Sequence, residues 1–243
     1  MGIVNSRDTR VMPFFENFAE LDIEKKLIYD EVMGYKHNAK LQELVDFIAP
    51  QENVEITDDT KLFFGLHEKI LAPHKELIKY LIENPTNDEA KARLEKYDNE
   101  NEVKVADIIK NIEKYFTKQR KSYIFEGYTH PDAYIETEKH IIVVEGKRTE
   151  NVSTSTKWLK NRDQMIRHIE GALQQADGKK TVLAYFMVES MPGTIANYID
   201  LNYYKDSMPH FKNDDDKIKE VRDCYKGVFI WEDLFKKFKV YKP

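Results

Sequence analysis

The sequence predicts a mixed α/β fold of the α+β kind, with an all-helical N-terminal region ahead of a core ordered helix, three-stranded meander, helix, strand. Three observations predict it. Apolar residues recur at helical spacing from about residue 14 to 118. Short segments of strand character take over after Ser122. A further helical pattern, over 157–176, separates two strand-like apolar runs.

In the N-terminal region, Leu41, Leu44, Val45 and Ile48 mark one helix, and Leu77, Ile78, Leu81 and Ile82 another. Breaks are expected at Pro50, at Pro73 and at Asn84-Pro85, where Thr86 or Asn87 is placed to cap a helix through Ala90 and Leu94. Four or five helices are expected. The last, over 103–118, carries Val105, Ile108, Ile109, Ile112 and Phe116 on one face and ends in a basic run from Lys118 to Lys121. The boundary between the regions 1–120 and 121–243 is placed there.

Beyond it, 123–128 and 132–136 read as strands, and 137–140 as a polar turn. Ile141, Ile142, Val143 and Val144 form a β-branched run suited to a buried central strand. A helix over 157–176 follows, with Leu159, Met165, Ile166, Ile169, Ala172 and Leu173 on one side, and then a strand over 181–188. A helix over 214–225, a short strand over 228–231 and a terminal helix complete the chain.

The composition excludes some classes. The chain has 243 residues, 41% hydrophobic and 33% charged, enough for a substantial core and too apolar for disorder. A net charge of -5 gives the whole molecule no field that attracts nucleic acid, so any such contact depends on a local patch. A single cysteine, Cys224, permits neither an internal disulfide nor a cysteine zinc site. With no signal-peptide pattern and no apolar run of membrane-spanning length, a cytoplasmic protein without membrane attachment is expected.

Chemistry concentrates at the end of the apolar run. Glu145 and Lys147 are two residues apart, so the period of a strand sends both side chains to one face. Asp132, after Pro131, opens the strand before it, and the turn at 137–140 folds that strand back alongside. Two carboxylates this close repel each other unless a cation lies between them. Mg²⁺ takes oxygen ligands and keeps several waters, so Asp132, Glu145 and the carbonyl of Gly146 make a reasonable partial shell. Lys147 would then orient a water or neutralise charge in the transition state.

Pro131-Asp132, twelve intervening residues, then Glu145-Gly146-Lys147 resembles the motif of the PD-(D/E)XK nuclease superfamily, and the order of predicted elements matches its restriction-endonuclease-like core over about 103–189. The resemblance implies phosphodiester hydrolysis with Mg²⁺ or Mn²⁺, with Asp132 and Glu145 as ligands and Lys147 as the catalytic lysine. It also implies a polar residue on the following helix, for which Gln164 is placed, with His168 one turn further on. An additional acid from the first core helix falls to Glu113, with Glu102 as its competitor. Many members of the superfamily form homodimers to cut both strands.

Between 139 and 168, seven basic residues (Lys139, Lys147, Arg148, Lys157, Lys160, Arg162, Arg167) face three acidic ones. This stretch, with Thr154, Ser155 and Thr156 before the helix, is the expected contact for a nucleic-acid backbone. The bland alternative is a solvated helix face. His67 and His74 read as structural or surface residues, Tyr198, Tyr203 and Tyr204 as packing more than base stacking, and Asp214–Asp216 as a helix cap. The sequence therefore points to a nuclease acting on DNA, ahead of an RNA nuclease or an inactive nucleic-acid- or protein-binding module of the same fold.

Overall fold

The computed structural model describes residues 6–100, 126–148, 150–190 and 197–240. Glu113, Glu102, the helix expected over 103–118 and the boundary near 120 lie outside the described residues. Within them, seven strands form one mixed sheet in sequence order: β1 (Tyr29–Asp30), β2 (Gly34–Tyr35), β3 (Lys61–Phe64), β4 (Ala133–Glu136), β5 (His140–Lys147), β6 (Thr181–Val188) and β7 (Tyr225–Ile230). The described α-helices are α1 (Met12–Phe15), α2 (Lys40–Ile48), α3 (Lys75–Glu83), α4 (Asp88–Glu100), α5 (Gln164–Ala176), α6 (Leu201–Ser207), α7 (Asp215–Cys224) and α8 (Trp231–Phe238). None is long and apolar enough to cross a membrane.

Strand β5 is buried along all eight of its residues, because helices cover both faces of the sheet. On one face Leu62, Ile135, Ile142 and Val144 pack with Phe14, Leu41, Leu44 and Trp231 from α1, α2 and α8. On the other, Phe63, Tyr134, Ile141 and Val143 pack with Met165, Ile169 and Ile218 from α5 and α7. Each fully buried Val, Ile or Phe contributes about 1.5–3 kcal/mol by leaving water.

Strands β3, β4 and β5 run antiparallel in succession, and β5, β6 and β7 run parallel, with α5 crossing between β5 and β6. Two expectations change here. The neighbour of β4 is β3, with Leu62 opposite Ile135, while 126–128 form no strand. The region 1–120 is thus not all helical: it contributes β1, β2 and β3, whose pairing with β4 outweighs the local helical pattern.

Helix α5 begins at Gln164, seven residues later than the apolar spacing predicts, because the Asp163 carboxylate caps it by accepting from the Ile166 amide at 3.0 Å. Asp163 also accepts from the hydroxyls of Tyr198 and Tyr203, each at 2.7 Å. Those tyrosines are packing residues. Asn87 caps α4, accepting from the Ala90 amide at 2.8 Å, and Asp214 caps α7. His74 caps α3, and His67 stacks on Tyr29 outside any helix.

Candidate active site

The β4–β5 ladder pairs Ala133 with Val144, and one further step sets Asp132 beside Glu145. Because side chains alternate along a strand, Glu145 and Lys147 share the face that α5 covers, and Asp132, just before β4, reaches the Gly146 amide at the same end of the sheet. The N-terminal turns of α5 add Gln164 and His168. The structure thus brings together four of the residues the sequence singles out as catalytic, Asp132, Glu145, Lys147 and Gln164.

Lys147 Nζ lies 2.8 Å from Glu145 Oε1 and donates to Gln164 Oε1 at 3.1 Å. His168 Nε2 lies 2.9 Å from Glu145 Oε2. A carboxylate only accepts, so Nε2 carries the hydrogen, and in the neutral ring Nδ1 accepts from the Thr129 hydroxyl 2.7 Å away. Glu145 is held from both sides. The amide of Gly146 donates to Asp132 Oδ2 at 2.8 Å, so Gly146 meets this carboxylate through its N–H.

The strand beneath is clamped. Trp231 Nε1 donates to the Lys147 carbonyl at 3.1 Å, and the Glu189 amide donates to it at 3.0 Å. A Cβ on Gly146 would lie 2.6 Å from Val11 Cγ2 and 3.2 Å from Trp231 Cζ2, so only glycine fits there without displacing a neighbour. Arg10 reaches across to Glu189 with two charge-assisted bonds, Nε to Oε2 at 2.6 Å and Nη2 to Oε1 at 2.9 Å.

The electrostatics divide the carboxylates. Burial and the charge of Glu145 hold the Asp132 carboxyl well above its usual range, more than the Gly146 bond and Lys147 can offset. For Glu145, burial pushes upward, but the His168 bond and Lys147 outweigh it and the net shift is downward. Burial would lower Lys147, yet Glu145 and Asp132 raise it, so its ammonium stays charged. This surplus of negative charge around Asp132 is what a divalent cation relieves, and the oxygen donors suit Mg²⁺ or Mn²⁺. Among the described residues no group of three or more His, Cys, Asp or Glu forms a ready metal cage. A cation here would rest on two carboxylates and complete its shell with water and substrate oxygens.

Glu68, Thr129 and Trp231 are parts of this site that sequence reasoning missed. Each comes from a segment with no motif, and only long-range pairing brings it in. Glu68 is 21% exposed and is pushed up to about 7, first by burial and then by Glu145, against the opposing pull of Arg7. Its folded value lies above its unfolded one, so the ionised form is disfavoured and stability is lost as pH rises from about 4.5 through 7. Each tenfold change in acidity is worth about 1.4 kcal/mol before screening. Glu68→Gln should therefore gain about 1–2 kcal/mol at pH 8 and nothing at pH 4. Urea denaturation at the two pH values checks this, and an equal effect at both would contradict it.

The basic stretch does not form one open patch. Arg162 is fully buried, pairing with Glu126 and Glu170, so its expected role as a nucleic-acid contact is corrected: two interior carboxylates draw it inward. Arg167 is partly buried and pairs with Glu126 at 3.1 Å. Lys157 pairs with Glu89 at 2.6 Å and lies over the Trp158 ring. Lys160 is exposed and Arg148 partly so. The anion site expected from Thr154, Ser155 and Thr156 is also corrected, because those residues precede an irregular segment while Asp163 caps the helix.

No family model, curated protein or solved structure matches the chain.

Proposed function

We propose that this chain is a divalent-metal-dependent nuclease of the PD-(D/E)XK type, hydrolysing phosphodiester bonds, with DNA as the leading substrate. The observation that carries the reading is the convergence of Asp132, Glu145 and Lys147 at one end of the sheet, with Gln164 holding the lysine. The succession of three antiparallel strands, a crossover helix and a parallel strand supports a restriction-endonuclease-like core.

Asp132 and Glu145 would hold Mg²⁺ or Mn²⁺, which supplies charge neutralisation and Lewis acidity to a phosphodiester. Lys147 would orient the attacking water and offset charge on the phosphoryl group. Its ammonium is fixed between Glu145 and Gln164, so little reorganisation is needed as charge develops. His168 and Thr129 keep the Glu145 carboxylate aimed.

The deciding experiment is a cleavage assay on plasmid, single-stranded DNA and RNA with Mg²⁺, Mn²⁺ or EDTA. We expect metal-dependent cleavage of DNA that falls at least about 10²-fold in Asp132→Ala. Absence of cleavage, together with no effect of Mg²⁺ on thermal stability, would instead identify an inactive binding module. Cleavage confined to RNA would reassign the substrate.

A further inference from the structure

The sheet has an open edge at β1, its outermost strand on that side. The extended stretch 26–30 runs between a turn over 22–25 and a turn over 31–33. Its inner side is bonded along its length. The Lys26 carbonyl accepts from the Asp22 amide at 2.8 Å, the Ile28 amide donates to the Glu20 carbonyl at 3.2 Å, and the Ile28 carbonyl accepts from the Lys36 amide at 2.9 Å. Asp30 then pairs with Gly34 of β2. Peptide groups alternate in direction along a strand, so those of Leu27 and Tyr29 point to the open side, where they meet no partner among the described residues.

The side chains of this edge carry a charge pattern. Lys25 and Lys26 stand at one end and Asp30 and Glu31 at the other, with Leu27, Ile28 and Tyr29 between them. Lysine on an edge strand ordinarily repels a copy of the same strand. One arrangement reverses this. Laid antiparallel about a two-fold axis at Ile28, the strand sets Lys26 opposite Asp30 of a second copy and Lys25 opposite Glu31, at both ends of the contact.

The backbone selects the same register. About Ile28, Leu27 faces Tyr29 of the second copy, and these are the two residues whose peptide groups are open. A shift by one residue would set Ile28, whose peptide groups face inward, against Tyr29. Axes at Leu27 or Tyr29 keep the open groups in register but leave both lysines opposite apolar residues. The turns add apolar surface in the same sense: Ile23 on the first is fully exposed, and Val32 on the second is 69% exposed. The two-fold brings each to the end where the other lies in the second copy. Little stands in the way, because the Lys26–Glu24 pair is exposed and exchanges easily, and Asp30 holds its turn through Oδ1 alone, accepting from Val32 and Met33 at 2.8 Å each. A partner of uniform charge would match one end of this strand and be repelled at the other, so the pattern selects a second copy of this chain.

We propose that β1 pairs with β1 of a second copy, antiparallel about Ile28, and so joins the two sheets into one continuous sheet of a homodimer. The strand is short and the facing charges are exposed, so the dimer is weak and salt-sensitive. The pairing requires no assumption about the chemistry at Asp132 and Glu145.

Sedimentation velocity over a concentration series tests the pairing. The wild type should pass from monomer to dimer as concentration rises and return to monomer in high salt. Lys25→Glu/Lys26→Glu sets acid against acid at both ends, and Asp30→Asn/Glu31→Lys, whose asparagine keeps the turn, sets base against base. Each variant alone should self-associate at least about tenfold more weakly than the wild type. Mixed in equal amounts they should associate again, because each then meets opposite charge at both ends. Thermal unfolding shows that both variants fold. Ile28→Cys, on the axis, gives a second readout free of charge changes: mild oxidation with copper phenanthroline should link it into a disulfide dimer, while the buried Cys224 stays unlinked. A wild type that remains monomeric at every concentration, folded charge variants that dimerise like the wild type, a mixture that stays monomeric, or an Ile28→Cys chain that does not cross-link overturns the proposal.

Discussion

Lys147→Ala is expected to lower DNA cleavage by about 10³-fold or more, the scale of removing a preorganised group that stabilises transition-state charge. The ammonium it removes sits 2.8 Å from Glu145 and 3.1 Å from Gln164. The folded chain should survive, but not unchanged. Orphaning a buried charge costs about 3–5 kcal/mol where the charge cannot be shed. Here two carboxylates lose a shared counterion, so Asp132 is raised further and Glu145 loses part of what holds it down, and each takes up a proton more readily. The loss of stability should be largest at high pH and shrink toward pH 5, because a group raised in the folded state weakens folding as pH climbs. Mg²⁺ should stabilise the variant more than the wild type, since it no longer competes with an ammonium. Thermal melts across pH, with and without Mg²⁺, check these outcomes alongside the cleavage rate. Undiminished cleavage by the variant would remove Lys147 from the mechanism.

Parts of this architecture were legible for definite reasons. Ile141 to Val144 announce β5 because burial on both faces demands an unbroken apolar run, and Glu145 with Lys147 stand out as charges at the end of it. The core side of α5 shows through its 3.6-residue period. Strand β3 was hidden because Lys61–Phe64 is four residues long and owes its conformation to β4, whose partners lie 69 to 75 residues away. Glu68 and Thr129 were hidden for the same reason: they reach the site only because the ladder and its flanking bridge bring their segment there. Arg162 shows a third limit. A count of local charge treats every cation as exposed, whereas partners 36 residues before it and 8 after it hold this one in the interior.

That interior role sets the second large effect. Arg162 Nε lies 3.1 Å from both oxygens of Glu126, its Nη1 donates to the Ser207 carbonyl at 3.2 Å, and the same nitrogen pairs with Glu170. Glu170 also meets His210 at 2.7 Å, and Glu126 meets Arg167 at 3.1 Å. The network ties α5 to the segment before β4 and to the chain after α6. Burial alone would raise Glu170, yet Arg162 and His210 bring it down to about 2. A depressed carboxyl contributes stability above its unfolded value, so the wild type keeps this contribution above about pH 4.5 and loses it as pH falls toward 2. Arg162→Met leaves two buried carboxylates without their main cation and should cost about 3–5 kcal/mol at pH 7, a large share of the 5–15 kcal/mol typical of a folded protein. The penalty should ease toward pH 4, as the stranded carboxyls take up protons. Adding Glu126→Gln and Glu170→Gln should restore much of the loss, because a neutral interior needs no cation. Since α5 also carries Gln164 and His168, the single variant should lose cleavage together with stability, and the neutralised triple variant should regain both. Chemical denaturation of the two variants at pH 7 and pH 4 decides the matter: a stable Arg162→Met chain impaired only in DNA binding would put the guanidinium back on the substrate surface.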